Sequence, residues 1–175
     1  MPRVITFSLT FPMHHRRHGE NTDFVELIWA GLLPILGEAE MHRYLDEHDG
    51  KLWHIKKVHH FIAEGIKPKI HTIRKGKRWK KGDVFSPRVW SGKPYNSKQI
   101  QFAPDLELKE VLPFESFGSE NQTFCFNNEM RNVPYNNLRK IQIIANNDGL
   151  SLFDFLGWFD KPMQGQCLIF GDNPY

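Results

Sequence analysis

The apolar positions change rhythm along the chain. Over residues 4–9 they alternate with polar ones, the period of a half-buried strand. After Pro12 comes a polar stretch, 13–21, rich in His and Arg. Thr22 then offers a helix N-cap, with the acid Asp23 in the first turn. Phe24, Leu27, Ile28 and Leu32 recur on one helical face. Pro34 is expected to interrupt this helix, because proline removes a backbone donor. Residues 38–47 read as a second helix or its continuation, and Asp49-Gly50 as a turn. Residues 52–66 are ambiguous; Trp53, Val58, Phe61 and Ile62 would suit a helix ending at Gly65.

From Lys69 onward the segments shorten to strand length. Strands are expected over 69–74, 84–90, 98–103 and 106–117, with turns at Lys80-Lys81-Gly82-Asp83 and Ser91-Gly92-Lys93-Pro94 and a break at Pro104. Residues 118–137 are polar around a short apolar run, 123–126. Helical spacing returns over 138–145. Ser151, with Asp154 three residues on, resembles a capping box ahead of a helix that buries Leu152, Phe155, Leu156 and Phe159. Residues 166–170 read as a closing strand. This order of strand, helices, strands, helices and strand predicts an α+β fold with a small barrel or curled sheet. Neither a repeat nor a long linker divides the 175 residues, so one domain over 1–175 is expected.

Composition narrows the class. With 40% hydrophobic and 25% charged residues the chain resembles an ordinary globular protein, not a disordered or collagenous one. Its net charge of +3 conceals an uneven distribution. Residues 51–98 hold 14 Lys or Arg against two acids, Glu64 and Asp83, whereas the flanks on either side are acidic. A basic block of this kind suits a polyanion partner, or simply a solvated surface. Cys125 and Cys167 are too far apart for a zinc spacing and too few for a disulfide framework, so buried thiols in a reducing compartment are expected. The N-terminal residues lack a signal-peptide pattern, and no apolar run reaches the ~20 residues of a membrane helix. A cytoplasmic protein with no membrane partner is the expectation.

The densest chemistry lies in Lys67-Pro68-Lys69-Ile70-His71-Thr72-Ile73-Arg74. On a regular strand Lys69, His71 and Ile73 would face one way and Ile70, Thr72 and Arg74 the other. A bend near Pro68 would let Lys69 and Thr72 share a cleft. Lysine brings a cation, or a base when desolvated; threonine brings a hydroxyl nucleophile. The plain alternative is an edge strand guarded by lysines.

That run, followed by Trp79-Lys80-Lys81-Gly82-Asp83, by Trp90-Ser91-Gly92-Lys93-Pro94-Tyr95-Asn96-Ser97-Lys98-Gln99, and later by Asn147-Asp148-Gly149-Leu150-Ser151 before Trp158-Phe159, resembles the ASCH domain of the PUA-like superfamily, and specifically ASCH-like proteins of bacteria and their phages. The resemblance covers most of the chain and is least over 34–66 and 118–137. It implies a small PUA-like β-barrel with flanking helices and a cleft beside it. A minimal ASCH domain is shorter than this chain, so residues 20–66 are expected to be a helical elaboration. It also implies RNA or nucleotide binding as the leading function. The alternative it implies is an amidohydrolase that deacetylates an acetylated cytidine with a Lys/Thr/acid catalytic set, here Lys69, Thr72 and Asp148. The family's acid is Glu; Asp148 is one methylene shorter.

On the binding reading, Lys69, His71, Thr72, Arg74, Lys93, Tyr95 and Lys98 would hold the ligand. Lys75, Lys77, Arg78, Lys80 and Lys81 would meet phosphates while Trp79 stacks on a base. Trp79 and Trp90 would equally suit the barrel core. His14, His15 and His18, and the pair His59-His60, have no Cys or carboxylate at ligand spacing, so neither a metal nor any other cofactor is expected. There is no Walker loop, GxGxxG or serine nucleophile elbow.

Overall fold

The computed structural model describes residues 2–118, 123–127, 129–132 and 138–172; the remaining parts of the polar stretch 118–137 lie outside them. In chain order the elements are β1 (Arg3–Thr6), α1 (Phe24–Leu36), α2 (Glu38–Leu45), a 3-10 turn (Asp46–His48), α3 (Ile55–Ala63), β2 (His71–Lys75), β3 (Val84–Trp90), β4 (Gln99–Gln101), β5 (Leu106–Glu107), β6 (Glu110–Phe117), β7 (Thr123–Phe126), β8 (Glu129–Asn132), α4 (Leu138–Asn147), α5 (Leu152–Trp158) and β9 (Pro162–Ile169). The fold is α+β.

The strands make two open sheets. One has the order β1-β3-β4, with β5 also on β3; the other runs β2-β9-β6-β7-β8. Among the described residues no ladder closes either sheet into a barrel. The divergence begins between β2 and β3. The connection 76–83 is longer than a tight hairpin loop. Beyond it β3 pairs in parallel with β1, Phe85 opposite Arg3, while β2 pairs antiparallel with β9, Thr72 opposite Leu168. An aromatic seam joins the two sheets: Phe7 lies 5.6 Å from Phe102 and 6.5 Å from Phe170, and Phe85 lies 5.7 Å from Phe170. These rings meet edge to face, an arrangement aromatic pairs favour beyond simple burial.

The first helix differs from expectation in two ways. Pro34 does not end it. Proline costs α1 the bond that an N–H at position 34 would make to Ala30 O, yet the helix runs on and stops three residues later at Gly37, whose φ of +82° suits glycine. Thr22 is one step too early to cap. Its Oγ1 donates to Ser8 O at 2.6 Å and accepts from Phe24 N at 3.4 Å, tying the start of α1 to the end of β1. This helix is also part of the core, since Trp29 is fully buried and donates its indole N–H to Phe102 O at 2.7 Å.

At the other end, α5 begins with the expected capping box. Ser151 Oγ accepts from Asp154 N at 3.1 Å and donates to Asp154 Oδ2 at 2.7 Å. The basic loop 13–21 straps down onto it: Arg16 and Arg17 donate to the Asp154 carboxylate at 3.0 and 2.9 Å. His15 Nδ1 accepts from Arg17 N, which leaves Nε2 to donate to Asp154 O at 3.1 Å. Both ring nitrogens are therefore used within the chain. Burial works against the charge of Asp154, but the bonds from Ser151, Arg16 and Arg17 outweigh it and hold the carboxyl below its usual range. A depressed carboxyl pKa stabilises the fold above the unfolded-state value, roughly 3.9, and that stability is lost as pH falls through the folded value. Asp154→Ala is expected to lower the unfolding free energy by about 1–2 kcal/mol at pH 7. Urea titrations down the acid range should show the gap from the parent protein closing as the carboxyl takes up its proton.

Candidate active site beside β2

The chain enters this site through two close approaches. Gly31 on α1 has no side chain, so Pro68 packs where a Cβ would stand 3.1 Å from its ring. The next two residues leave the strand pattern: Lys69 N donates to Leu27 O at 3.2 Å and Ile70 N to Asn147 O at 2.9 Å. This pulls Lys69 away from strict alternation and lets it share a cavity with Thr72, two residues of opposite strand parity. Gly149, at φ +74°, turns the chain beneath it; a Cβ there would meet Leu27 at 3.1 Å and Lys69 Cβ at 3.2 Å. The turn brings the end of α4 up against the lysine.

Lys69 Nζ donates to Asp148 O and to Asp148 Oδ1, each at 2.5 Å. The backbone approach brings the short side chain of Asp148 within reach of the lysine. Both side chains are buried, 1% and 6% exposed. Burial lowers the Lys69 pKa, more than the adjacent carboxylate raises it. Burial likewise raises that of Asp148, against the pull of Lys69. Each shift favours the uncharged form. The ring of Phe24, 4.2 Å from Nζ, favours the charged form instead.

Thr72, Arg74 and Asp148 line the same cavity as Lys69, with aromatic walls from Phe7, Phe24, Trp158 and Phe159. Its volume is about 40 Å³. One water needs ~10–15 Å³ by this kind of measure and a drug-sized ligand about 300–1,000 Å³, so the space suits a small acyl group and not a whole nucleoside. Arg74 donates from Nη2 to Thr6 O at 2.7 Å and lies 5.3 Å from the Phe7 ring. Burial brings its pKa down to about 10, so it stays cationic at neutral pH.

The other expected site residues are distributed differently. His71 is fully buried and is not part of the cavity wall; its Nε2 lies 3.8 Å from Asp148 Oδ1. Burial, with Lys69 nearby, holds it well below the usual histidine range and therefore neutral. Lys93, Tyr95 and Lys98 sit on the exposed hairpin between β3 and β4, outside the cavity. Lys75, Lys77, Arg78, Lys80 and Lys81 are exposed at the far end of β2. Trp79 corrects the stacking expectation: it is 3% exposed, packed on Phe85, and its ring is closed to a base. The aromatic walls went unnoticed as site residues. Their helical spacing marked Phe24 and Phe159 only as core, and no sequence signal separates a core ring from one that lines a cavity.

Of the expected histidine clusters, His14 and His18 are exposed, and among the described residues no group of His, Cys, Asp or Glu is arranged to hold a metal ion. Both cysteines are free; Cys167 is buried and Cys125 is partly so. No helix among the described residues is long and apolar enough to cross a membrane. Comparison with family models, curated proteins and solved structures finds no match in any of the three.

A buried ion pair is a poor source of stability, but breaking one is costly. Asp148→Leu is expected to destabilise the protein by about 3–5 kcal/mol by stranding the lysine. The double variant Lys69→Met/Asp148→Leu should recover most of that loss. Chemical denaturation of parent, single and double variants measures this coupling.

Proposed function

We propose that the protein is an ASCH-type, PUA-like hydrolase that removes a small acyl group from an exocyclic amine, with acetylated cytidine as the substrate class. The observation that carries the reading is the convergence of Lys69, Thr72 and Asp148 on one small cavity. The two sheets, joined by an aromatic seam, correspond on this reading to an opened form of the PUA-like barrel.

Chemistry follows from the parts. Thr72 Oγ attacks the acyl carbonyl carbon and its proton passes to the uncharged amine of Lys69. Collapse breaks the C–N bond, and Lys69 returns the proton to the departing amine. Water then attacks the threonine ester, again giving its proton to Lys69; the bond to Thr72 Oγ breaks, Lys69 returns the proton to that oxygen, and the acid is released. Asp148 holds Lys69 in place through two bonds, one of them from a backbone oxygen that cannot titrate. With a volume near 40 Å³ the cavity admits the acyl end, leaving the nucleoside at the mouth.

Incubation with acetylated cytidine is expected to release free cytidine. Thr72→Ala should abolish release, and turnover surviving that change would overturn the assignment. Because burial lowers the pKa of Lys69, the rising limb of kcat/KM against pH should lie below 10.5, the ordinary lysine value.

A second reading, RNA binding, is favoured by the exposed basic turn. Lys75, Lys77, Arg78, Lys80 and Lys81 all face solvent within one connection. Phosphate contacts release counterions, so affinity for single-stranded RNA should fall steeply with salt, with a log–log slope of about −0.7 per phosphate neutralised. A flat salt series in filter binding would remove this reading.

A further inference from the structure

A second hollow lies behind the buried pair. It opens between α1, residues 66–67 and the turn from α4 into α5, with a volume of about 360 Å³. That falls within the roughly 300–1,000 Å³ of small-molecule sites. It shares no lining residue with the cavity beside Thr72. Two glycines make the space. Gly65, at φ +63°, turns the chain out of α3. Gly149 leaves open a position where a side chain would press on Leu27 and Lys69.

The lining has two characters. Leu27, Ile66 and Leu150 form an aliphatic wall, on which Ile66 is left 42% exposed. The polar part offers donors. Lys67 is exposed and, among the described residues, has no ion-pair partner. Asn146 Oδ1 accepts from Gln142 Nε2 at 2.6 Å, which leaves the amide NH2 to donate. The Ser151 hydroxyl is already committed to Asp154. Among the described residues no carboxylate lines the hollow. A cation and an amide donor beside an aliphatic wall complement an anionic head on an apolar body. The head gains charge-assisted hydrogen bonds and the body leaves water.

We propose that this hollow is a second ligand site, which takes a small carboxylate with an apolar body of about ring size. The carboxylate meets Lys67 and Asn146, and the body lies on Leu27, Ile66 and Leu150. The site stands apart from the hydrolase reading, because neither Thr72 nor the Lys69 amine takes part in it. Its walls nevertheless bear on the buried pair. Lys69 N donates to Leu27 O, and Gly149 packs on the stem of Lys69. An occupant spanning Leu27 and Leu150 holds that backing closed, because a ligand stabilises the state that it binds.

Benzoate is the probe, with benzamide as its neutral counterpart and acetate as the head without the ring. Each is added to the full chain while the backbone amide resonances of Leu27, Gly149 and Leu150 are followed. Benzoate is expected to shift them saturably, with a half-point below about 5 mM. Benzamide and acetate should each bind at least about threefold more weakly, the scale of one exposed charge interaction or of a lost apolar contact. Lys67→Gln and Ile66→Ser, both at exposed positions, should weaken benzoate by a similar factor. At saturating benzoate, hydrogen exchange at the Lys69 amide should slow at least about threefold. Shifts that do not saturate, or that are unchanged in both variants, overturn the site. Benzamide or acetate binding as tightly as benzoate overturns the ligand class, and unaltered exchange at Lys69 overturns the link to the buried pair. None of these measurements reads turnover, so failure of the hydrolase reading leaves the outcome untouched.

Discussion

An amine and a carboxyl group taken out of water together set the terms for everything around them. Lys69 and Asp148 are each almost wholly enclosed, and the penalty for that enclosure is relieved chiefly by their mutual bonds and by the backbone oxygen of Asp148. Those bonds demand close approach. That demand accounts for Gly149 in a left-handed turn, for Gly31 giving way to Pro68, and for the backbone bonds from Lys69 and Ile70 to Leu27 and Asn147. A pair of leucines would fill the same space with less difficulty.

The strap of His15, Arg16 and Arg17 serves the same centre from outside. It grips α5 through Asp154, and α5 carries Trp158, a wall of the cavity, with Phe159 immediately after it. Phe11 continues the connection, stacked on His15 and 5.6 Å from Trp158. Polar contacts at the surface thus position aromatic rings inside.

Local patterns made much of the fold legible. Residues 84–90 match β3 because they form a short apolar run between clear breakers, and Ser151 with Asp154 marked the start of α5. What sequence could not show is long-range pairing. The parallel contact of β1 with β3 and the return of β9 between β2 and β6 depend on which strands meet, and every strand has suitable partners. The same limit applied to the site. Lys69 and Thr72 were legible from their spacing plus a bend at Pro68, whereas Asp148 was reached only through family resemblance. Trp79 was open to two readings, a stacking ring among six basic residues or a ring of the core; its backbone N–H is bonded to Gln166 and its side chain turns inward, which is the second. Charge at neighbouring positions says little about where one aromatic ring points.

Lys69 and Asp148 are 79 residues apart in the chain. At a synthesis rate of ~5–20 residues per second, the lysine leaves the ribosome about 4–16 s before its partner. Through that interval it has no carboxylate to meet and remains a hydrated, fully charged ammonium. The buried pair is therefore completed by the last third of the chain and not by the lysine's own segment. A truncated or stalled product therefore carries Lys69 without the carboxyl group that meets it in the fold.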